Sequence, residues 1–536
     1  MKKLKLVCVA IAMACATPTL AGGLLTNTNQ HVAFDRMMSR EASIGIDGVY
    51  YNPAGVVFMS EGHHLAINWQ LAFQTRTINN DYALFTNNVN NPITPRDFKG
   101  TAFAPVIPSF QYAYNKGKWS FQASFALTGG GGKCTFDDGL GSFEKIVAET
   151  AIAACGLAGV VDQTLGNTLG QPGMEMFTSD QAFGKTGKYS FNSYMHGRQY
   201  YYGLSVGAAY KFCDNFSAFL GVRGVYALTN YYGYVENINV GNMPLYKVLD
   251  PTKESSANIE LSCDQSGVGF TPIIGVDYKT GRWNFSAKYE FKTRIRLKNK
   301  SVNQTPSIGN LPANLANQMT GILTAKYQQA GLPLEQAKQQ AENTTNAVLN
   351  DPTVGATMMG LKTQFDQKLN KAIGEYEDGK KIAGDIPGYL ALGIGYSPVD
   401  AVRVNVGFHW FDDKNATSYN NRNKELKRGT LEYNAGVEVD VNKKITLSTG
   451  WQNTNYGLSD EYMDDKSFVV GSNSAAIGGV YHINKKMDLN VAYFHTFYQH
   501  KKTSETVQLA ADKSIVYNSD YTRNNNVFAV GLDINF

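Results

Sequence analysis

The run Val527-Phe528-Ala529-Val530-Gly531-Leu532-Asp533-Ile534-Asn535-Phe536 constrains this chain most, because large apolar side chains stand at the even positions and small or polar ones occupy most of the rest. Successive side chains of a strand point to opposite faces, so a strict period of two describes one strand between two different solvents. In a soluble sandwich the apolar face would be the core. In a transmembrane barrel it faces lipid while the polar face lines the lumen, and the final Phe536 favours that reading. The alternation recurs: Trp283, Phe285, Ala287, Tyr289 and Phe291 alternate with Asn284, Ser286, Lys288, Glu290 and Lys292, and Leu489, Val491 and Tyr493 with Asn490, Ala492 and Phe494.

The turns between such runs fall into two classes. Six are short and polar, at Asn115 to Lys118, Cys213 to Asn215, Lys279 to Arg282, Pro398 to Asp400, Asn442 to Lys444 and Asn484 to Lys486. Seven longer connections begin near Asn79, Gly131, Val235, Lys298, Phe411, Gly457 and Lys501. Six short turns and seven long loops predict an all-β fold, a 14-stranded antiparallel transmembrane barrel with both strand ends on the short-turn side. Closure is required physically, because an open edge would leave backbone donors and acceptors unpaired in hydrocarbon.

Two loops are expected to carry helices, near 142–165 and near 311–376. Ser142 to Leu165 is apolar-rich, Pro312 to Gln329 opens on a helix-compatible proline and stops before Gly331-Leu332-Pro333, and Leu334 to Leu349 and Thr357 to Tyr376 continue the cluster. The connection from Val235 to Ser262 reads as free of helix.

The basic Met1-Lys2-Lys3-Leu4-Lys5, the apolar Leu6 to Ala16 and the small residues up to Ala21 read as a secretory signal, 1–21. No later stretch approaches the roughly 18 uninterrupted apolar residues of a membrane helix, and the mean hydropathy of -0.27 is too polar for a helical bundle. With 31 Tyr, 28 Phe and 52 Gly the composition suits aromatic-girdled strands and tight turns. A net charge of +4, scattered, offers no basic stripe, so no nucleic-acid partner is expected. Cys134, Cys155, Cys213 and Cys263 lack paired metal-ligand spacing. Strand order puts Cys213 at the end opposite Cys134, Cys155 and Cys263, so it is not expected to pair with them, and Cys134 with Cys155 is the expected bridge.

Motifs of catalysis dissolve in context. Gly129-Gly130-Gly131-Gly132-Lys133 lacks the first glycine and the Ser or Thr of a phosphate loop. Gly203-Leu204-Ser205-Val206-Gly207 sits inside an alternating strand rather than on a strand-to-helix elbow. We expect neither an enzyme nor a cofactor.

Ahead of the first strand lies Arg36-Met37-Met38-Ser39-Arg40-Glu41-Ala42-Ser43-Ile44-Gly45-Ile46-Asp47-Gly48-Val49-Tyr50-Tyr51-Asn52-Pro53-Ala54-Gly55. This segment resembles the N-terminal hatch of the FadL-like long-chain fatty acid transporter family of outer-membrane proteins, which includes aromatic hydrocarbon channels. The resemblance implies a hatch over 22–62, a barrel over 63–536, a ligand-gathering surface among external loops, an apolar pocket, and a wall gap at an inward kink of the third strand, here Trp119 to Thr128. It implies a long-chain fatty acid or other hydrophobic small molecule as ligand, outer-membrane lipid as the receiving phase, and the barrel assembly machinery as a partner through Phe536. An aromatic hydrocarbon channel and a structural or adhesive barrel are the alternatives.

On this reading Asn52, Pro53 and Ala54 control the hatch. Arg36, Arg40, Glu41 and Asp47 either orient a carboxylate ligand or pin the hatch to wall charges, and pinning is favoured because charges shut inside a barrel are normally paired. Thr128, Gly129, Gly130 and Gly131 are candidates for a lateral opening, since glycines weaken a ladder and permit a bulge, or they simply begin a flexible loop.

Overall fold

The computed structural model describes residues 26–306, 308–510 and 513–536, so the expected signal at Met1 to Ala21 lies outside the described residues. Fourteen strands form the wall: β1 (Gly62–Tyr82), β2 (Arg96–Lys116), β3 (Trp119–Phe136), β4 (Tyr189–Cys213), β5 (Phe216–Val240), β6 (Ile259–Thr280), β7 (Trp283–Glu290), β8 (Tyr389–Val399), β9 (Val402–Phe411), β10 (Thr430–Asn442), β11 (Ile445–Asn455), β12 (Ser472–Asn484), β13 (Met487–Tyr498) and β14 (Lys513–Asn535). Each pairs antiparallel with the next. β14 closes on β1, in register from His64 opposite Asn535 to Tyr82 opposite Tyr517. All six short turns fall where the sequence places them, at one end of the barrel.

The alternation sorts as a barrel requires. On β14, Phe528 is 49% exposed and Val530 40%, whereas Val527 and Ala529 beside them are buried. Phe270, Leu220, Leu204 and Phe103 likewise point outward from other strands. Such a belt far exceeds the apolar patches of a few hundred Å² that soluble monomers expose, so it faces lipid. Aromatic pairs gather near the short turns, among them Trp283 with Tyr396 at 4.3 Å and Trp119 with Tyr210 at 4.7 Å between ring centroids. Amphipathic rings at that level anchor a barrel at the membrane surface.

Strands β1 to β6 and β14 are much longer than β7 to β13. At about 3.3 Å per residue a 25-residue strand such as β4 spans roughly 80 Å, several times the apolar belt of about 25 Å. The surplus rises beyond the long-loop end and carries a crown of helices.

Inside the barrel lie the short helices α1 (Val32–Met37) and α2 (Gly48–Tyr51). The crown contains α3 (Gly141–Leu169), α4 (Tyr246–Leu249), α5 (Leu311–Gln329), α6 (Leu334–Leu349) and α7 (Pro352–Ile373). Helix α3 is long and apolar enough to cross a membrane, with mean hydropathy 1.4 in its best window. It packs instead against α6 and α7. An apolar cleft of about 70 Å³ opens between α3, α5 and α7, lined by Ile146, Leu157, Val161, Leu315 and Phe365.

Three expectations are corrected. The Val235 to Ser262 connection does hold helix, in α4 and a 3₁₀ turn at Glu254–Ala257, whose Val248, Leu249 and Ala257 bury against the crown. The four cysteines are free. Cys134 joins an apolar cluster under β3, whereas the Cys155 thiol on α3 donates to the Phe183 carbonyl at 3.3 Å. Finally, Lys292 does not face the lumen, because β7 ends at Glu290 and the Lys292 ammonium donates to the Asn415 carbonyl at the rim.

The crown is tied to the rim at Asp465, whose carboxylate accepts from the Ser142 amide at 2.8 Å and its hydroxyl at 2.9 Å in the first turn of α3. Burial, and then the neighbouring Asp464, push the Asp465 carboxyl up to about 6. A folded value above the unfolded one of about 3.9 means that the group's stabilising contribution is present at low pH and is lost as pH rises through 6. Hydrogen exchange at 141–148, corrected for intrinsic rates, should therefore be slower at pH 5 than at pH 7, and Asp465→Asn should flatten that difference. Faster exchange at pH 5 would contradict the assignment.

Candidate functional site

Residues of the hatch spend their polar groups on the barrel wall. The Arg36 guanidinium pairs with Glu438 of β10 and donates to Ser448 of β11 at 2.9 Å and Asn490 of β13 at 3.2 Å. One long side chain thus ties α1 to three strands. Arg40 grips Asp47 in a fork, Nε to Oδ2 at 2.7 Å and Nη2 to Oδ1 at 3.1 Å, which closes the hatch on itself. Glu41 meets Nε2 of His409 at 2.7 Å, and the other ring nitrogen of His409 meets Glu432 at 2.8 Å.

The Asn52-Pro53-Ala54 corner is anchored group by group. The Asn52 amide donates to Asp277 of β6 at 2.6 Å while its oxygen accepts from the Gly55 amide at 3.1 Å. The Pro53 carbonyl accepts from Gln122 of β3 at 2.7 Å, and the Ala54 carbonyl from the Ser217 hydroxyl of β5 at 2.7 Å. Above it, the Lys288 ammonium donates to the Tyr50 carbonyl at 2.6 Å and pairs with Glu290, which also takes the Arg223 fork.

Close approach of hatch and wall depends on glycine. A Cβ at Gly436 or Gly450 would overlap the Met37 carbonyl, and one at Gly407 would overlap the Glu41 carboxylate. These strands therefore offer the hatch a track of bare backbone.

The candidate lateral opening sits where the wall ladder fails. Between β2 and β3 the rungs run down from Gly100–Phe136 to Thr101–Thr135 and resume only at Phe110–Phe125. On β3, Gly130 and Gly131 fall between the rungs Gly129–Tyr201 and Gly132–Gln199, a double irregularity against β4. Gly130 has φ +93°, and a Cβ there would lie 2.6 Å from the Gln199 carbonyl, so this bend needs glycine. The facing stretch of β2 contains Pro105 and Pro108, which have no N–H to give a ladder.

The hatch closes the gap from inside. The Asn27 amide donates to the Thr128 carbonyl at 3.1 Å and its side chain to the Leu127 carbonyl at 3.2 Å. Thr128 itself is buried and donates to the Tyr201 carbonyl at 3.2 Å. Apolar side chains converge just within: Ala104, Ile107, Leu127, Tyr200, Phe494 and Val527, over Phe34, Tyr50 and Tyr51 of the hatch.

Thus the hatch residues named from sequence come together with the wall, and the four candidate gate residues lie on one kink some distance along β3 from the Pro53 anchor. Sequence reasoning missed the wall partners Glu438, Asp277, His409 and Arg223, whose strand distance from the hatch leaves no local signal. It also missed Pro105 and Pro108, which are visible as prolines inside an otherwise alternating strand.

These features define a plugged fourteen-stranded barrel of outer-membrane type with an interrupted seam between β2 and β3. No family model and no curated protein matches the chain. Among solved structures, a Pseudomonas aeruginosa FadL homologue aligns at 13% identity over 96% of this chain and all of its own, with a TM-score of 0.59. The Pseudomonas putida toluene transporter TodX aligns at 12% identity over 96% of this chain and all of its own, TM-score 0.49. The Ralstonia pickettii toluene transporter TbuX does so at 13% over 92% of this chain and 94% of its own, TM-score 0.45. The first of these shows that the fold is of the FadL kind.

Removing one partner of a buried ion pair typically costs about 3–5 kcal/mol, because the other charge stays buried. Glu438→Gln strands Arg36 in this way. It should raise hydrogen exchange across 32–58 sharply while the barrel keeps its folded mobility in unheated SDS gels. Unchanged hatch protection would show that the wall charges do not hold the hatch.

Proposed function

We propose that this protein carries hydrophobic molecules passively across an outer membrane, with long-chain fatty acids as the substrate class, and releases them sideways into outer-membrane lipid between β2 and β3. The observation that carries this reading is the missing rungs from 102 to 109. In hydrocarbon an unpaired backbone group costs several kcal/mol, so a wall that surrenders a run of rungs, with two prolines and a glycine bend built into it, is paying for an opening. A fatty acid gains from such an exit, since each methylene forced into water costs about 0.8 kcal/mol.

The path begins at the apolar cleft among α3, α5 and α7, continues through the lumen cluster around Phe494 and Leu127, and ends at the seam. Thr128, Gly129, Gly130 and Gly131 shape the opening. The hatch governs it through Asn27, which covers the carbonyls of the bend, and its position is set by Arg36, Glu41, Asp47, Asn52, Pro53 and Ala54. Phe536, stacked on His63 at 5.3 Å where β14 meets β1, is the segment offered to the barrel assembly machinery. Diffusion down a gradient supplies the driving force, and no step needs a cofactor or a bond broken.

Gly130→Val should force the bend out of its left-handed backbone and against Gln199, which straightens β3 toward β2 and narrows the seam. Uptake of labelled oleate by cells with matched surface amounts should fall several-fold while unheated gel mobility stays native. Normal uptake by this variant would refute the lateral route. Uptake of toluene but not oleate by the unmodified protein would replace fatty acids with small hydrocarbons as the substrate.

A further inference from the structure

Two arginines face each other in the lumen with no acidic partner among the described residues. Arg76 on β1 and Arg523 on β14 are direct cross-strand neighbours. Both belong to the inward series, since Gln74, Ile78, Tyr521 and Asn525 on either side are buried while Phe73 and Phe528 of the opposite parity point to lipid. Directly opposed residues have Cβ atoms about 5 Å apart, and like charges so placed repel. Arginine does not escape by losing its proton.

Four other basic groups of the lumen do have acids: Arg36 has Glu438, Arg40 has Asp47, and Arg223 and Lys288 share Glu290. Among the described residues, by contrast, the Arg76 Nε donates to the neutral Gln74 amide oxygen at 3.1 Å. The Arg523 Nε is buried without a hydrogen-bond partner, and its guanidinium lies over the rings of Phe468 and Tyr498 at 5.6 and 5.8 Å. One step down the same strands, Asn525 stands opposite Gln74, wholly buried, with neither side-chain polar atom hydrogen-bonded. Buried polar groups left in this state call for a partner that the chain itself does not provide.

The next inward pair below is Ala72 opposite Val527, and both belong to the apolar cluster with Ile107, Leu127 and Phe494. On its other side β1 places Arg76 opposite Gly100 and Gln74 opposite Ala102 of β2, the level at which the β2–β3 ladder gives out. Cationic forks, an unspent amide and an apolar slope toward the seam thus follow one another along two adjacent strands.

We propose that Arg76 and Arg523, with Asn525, bind the carboxylate of a long-chain amphiphile whose tail lies over Ala72 and Val527 toward the seam. A carboxylate offers about four lone-pair sites, enough for one guanidinium fork, a single N–H of the second guanidinium and an amide. The inference rests on the transport reading and deepens it, by assigning the ligand a single negative head and by excluding a neutral hydrocarbon as the ligand this site is built for. Repulsion between the arginines is tolerated in the empty protein and relieved by the ligand.

The test compares oleate with methyl oleate, which shares the tail and lacks the charge, on purified protein in non-ionic detergent at pH 8. The native protein should bind oleate about tenfold or more tightly than the ester, as charge-assisted hydrogen bonds would require. In the Arg76→Gln/Arg523→Gln variant oleate affinity should fall to that of the ester, whose own affinity stays unchanged. The ligand-free variant should melt at or above the native temperature, because a repulsion has been removed, whereas a merely structural pair would lower it. Equal binding of oleate by native and variant protein, or an equal loss of acid and ester, would overturn the anion site while leaving transport intact. Failure of the native protein to bind either compound would overturn the transport reading, and the site with it.

Discussion

The rule that backbone N–H and C=O groups cannot be left unpaired in hydrocarbon organises this molecule. It forces β14 back onto β1, sets every wall strand antiparallel to its neighbours, and confines irregular chain to the two rims and the lumen. Against that rule the stretch between β2 and β3, the longest break in the wall ladder among the described residues, stands out. It occurs where Pro105 and Pro108 cannot donate and where Gly130 turns β3 inward, and the carbonyls it exposes are taken up by Asn27 of the hatch rather than by a neighbouring strand. Seam and hatch are therefore one hydrogen-bonded unit, and movement of one changes the other.

That coupling explains why the hatch is held so firmly elsewhere. Buried charges are expensive unless paired, and the pairs Arg36–Glu438, Arg40–Glu438 and Glu41–His409 join the hatch to the β9 to β13 side of the wall, opposite the seam in strand order. The glycine track at Gly407, Gly436 and Gly450 brings it against that same side. On the seam side the arm from Thr26 to Gln30 reaches β1, β2 and β3 through Asn29, Gln30 and Asn27. The hatch is thus held by ion pairs on one flank and by neutral hydrogen bonds on the other.

How much of this could be read from the sequence follows from the range of the interactions. Period-two alternation and short polar turns are local, so the strand count, the six turns and the bounds of Leu334–Leu349 were legible in full. The inward bend was visible as a glycine run, although its missing rungs also needed the prolines of a different strand. The ion-pair partners were not legible: Arg36 and Glu438 lie some four hundred residues apart, and only closure of the barrel brings them together. Strand order likewise permitted a Cys134–Cys155 bridge that geometry forbids, because the helix carrying Cys155 turns its thiol toward Phe183 within the crown. The facing arginines were hidden for the same reason, since register between the first and last strands is a property of the closed ring.

The central claim is that a hydrophobic ligand passes from the lumen through the seam. Photoaffinity labelling with a diazirine-bearing fatty acid in outer-membrane vesicles, followed by peptide mapping, tests it most directly. The account predicts adducts on 102–109 of β2 and 126–132 of β3, together with lumen positions near Ala72 and Val527. Labelling confined to the crown helices, or adducts leading down to the short-turn end beneath the hatch, would contradict it.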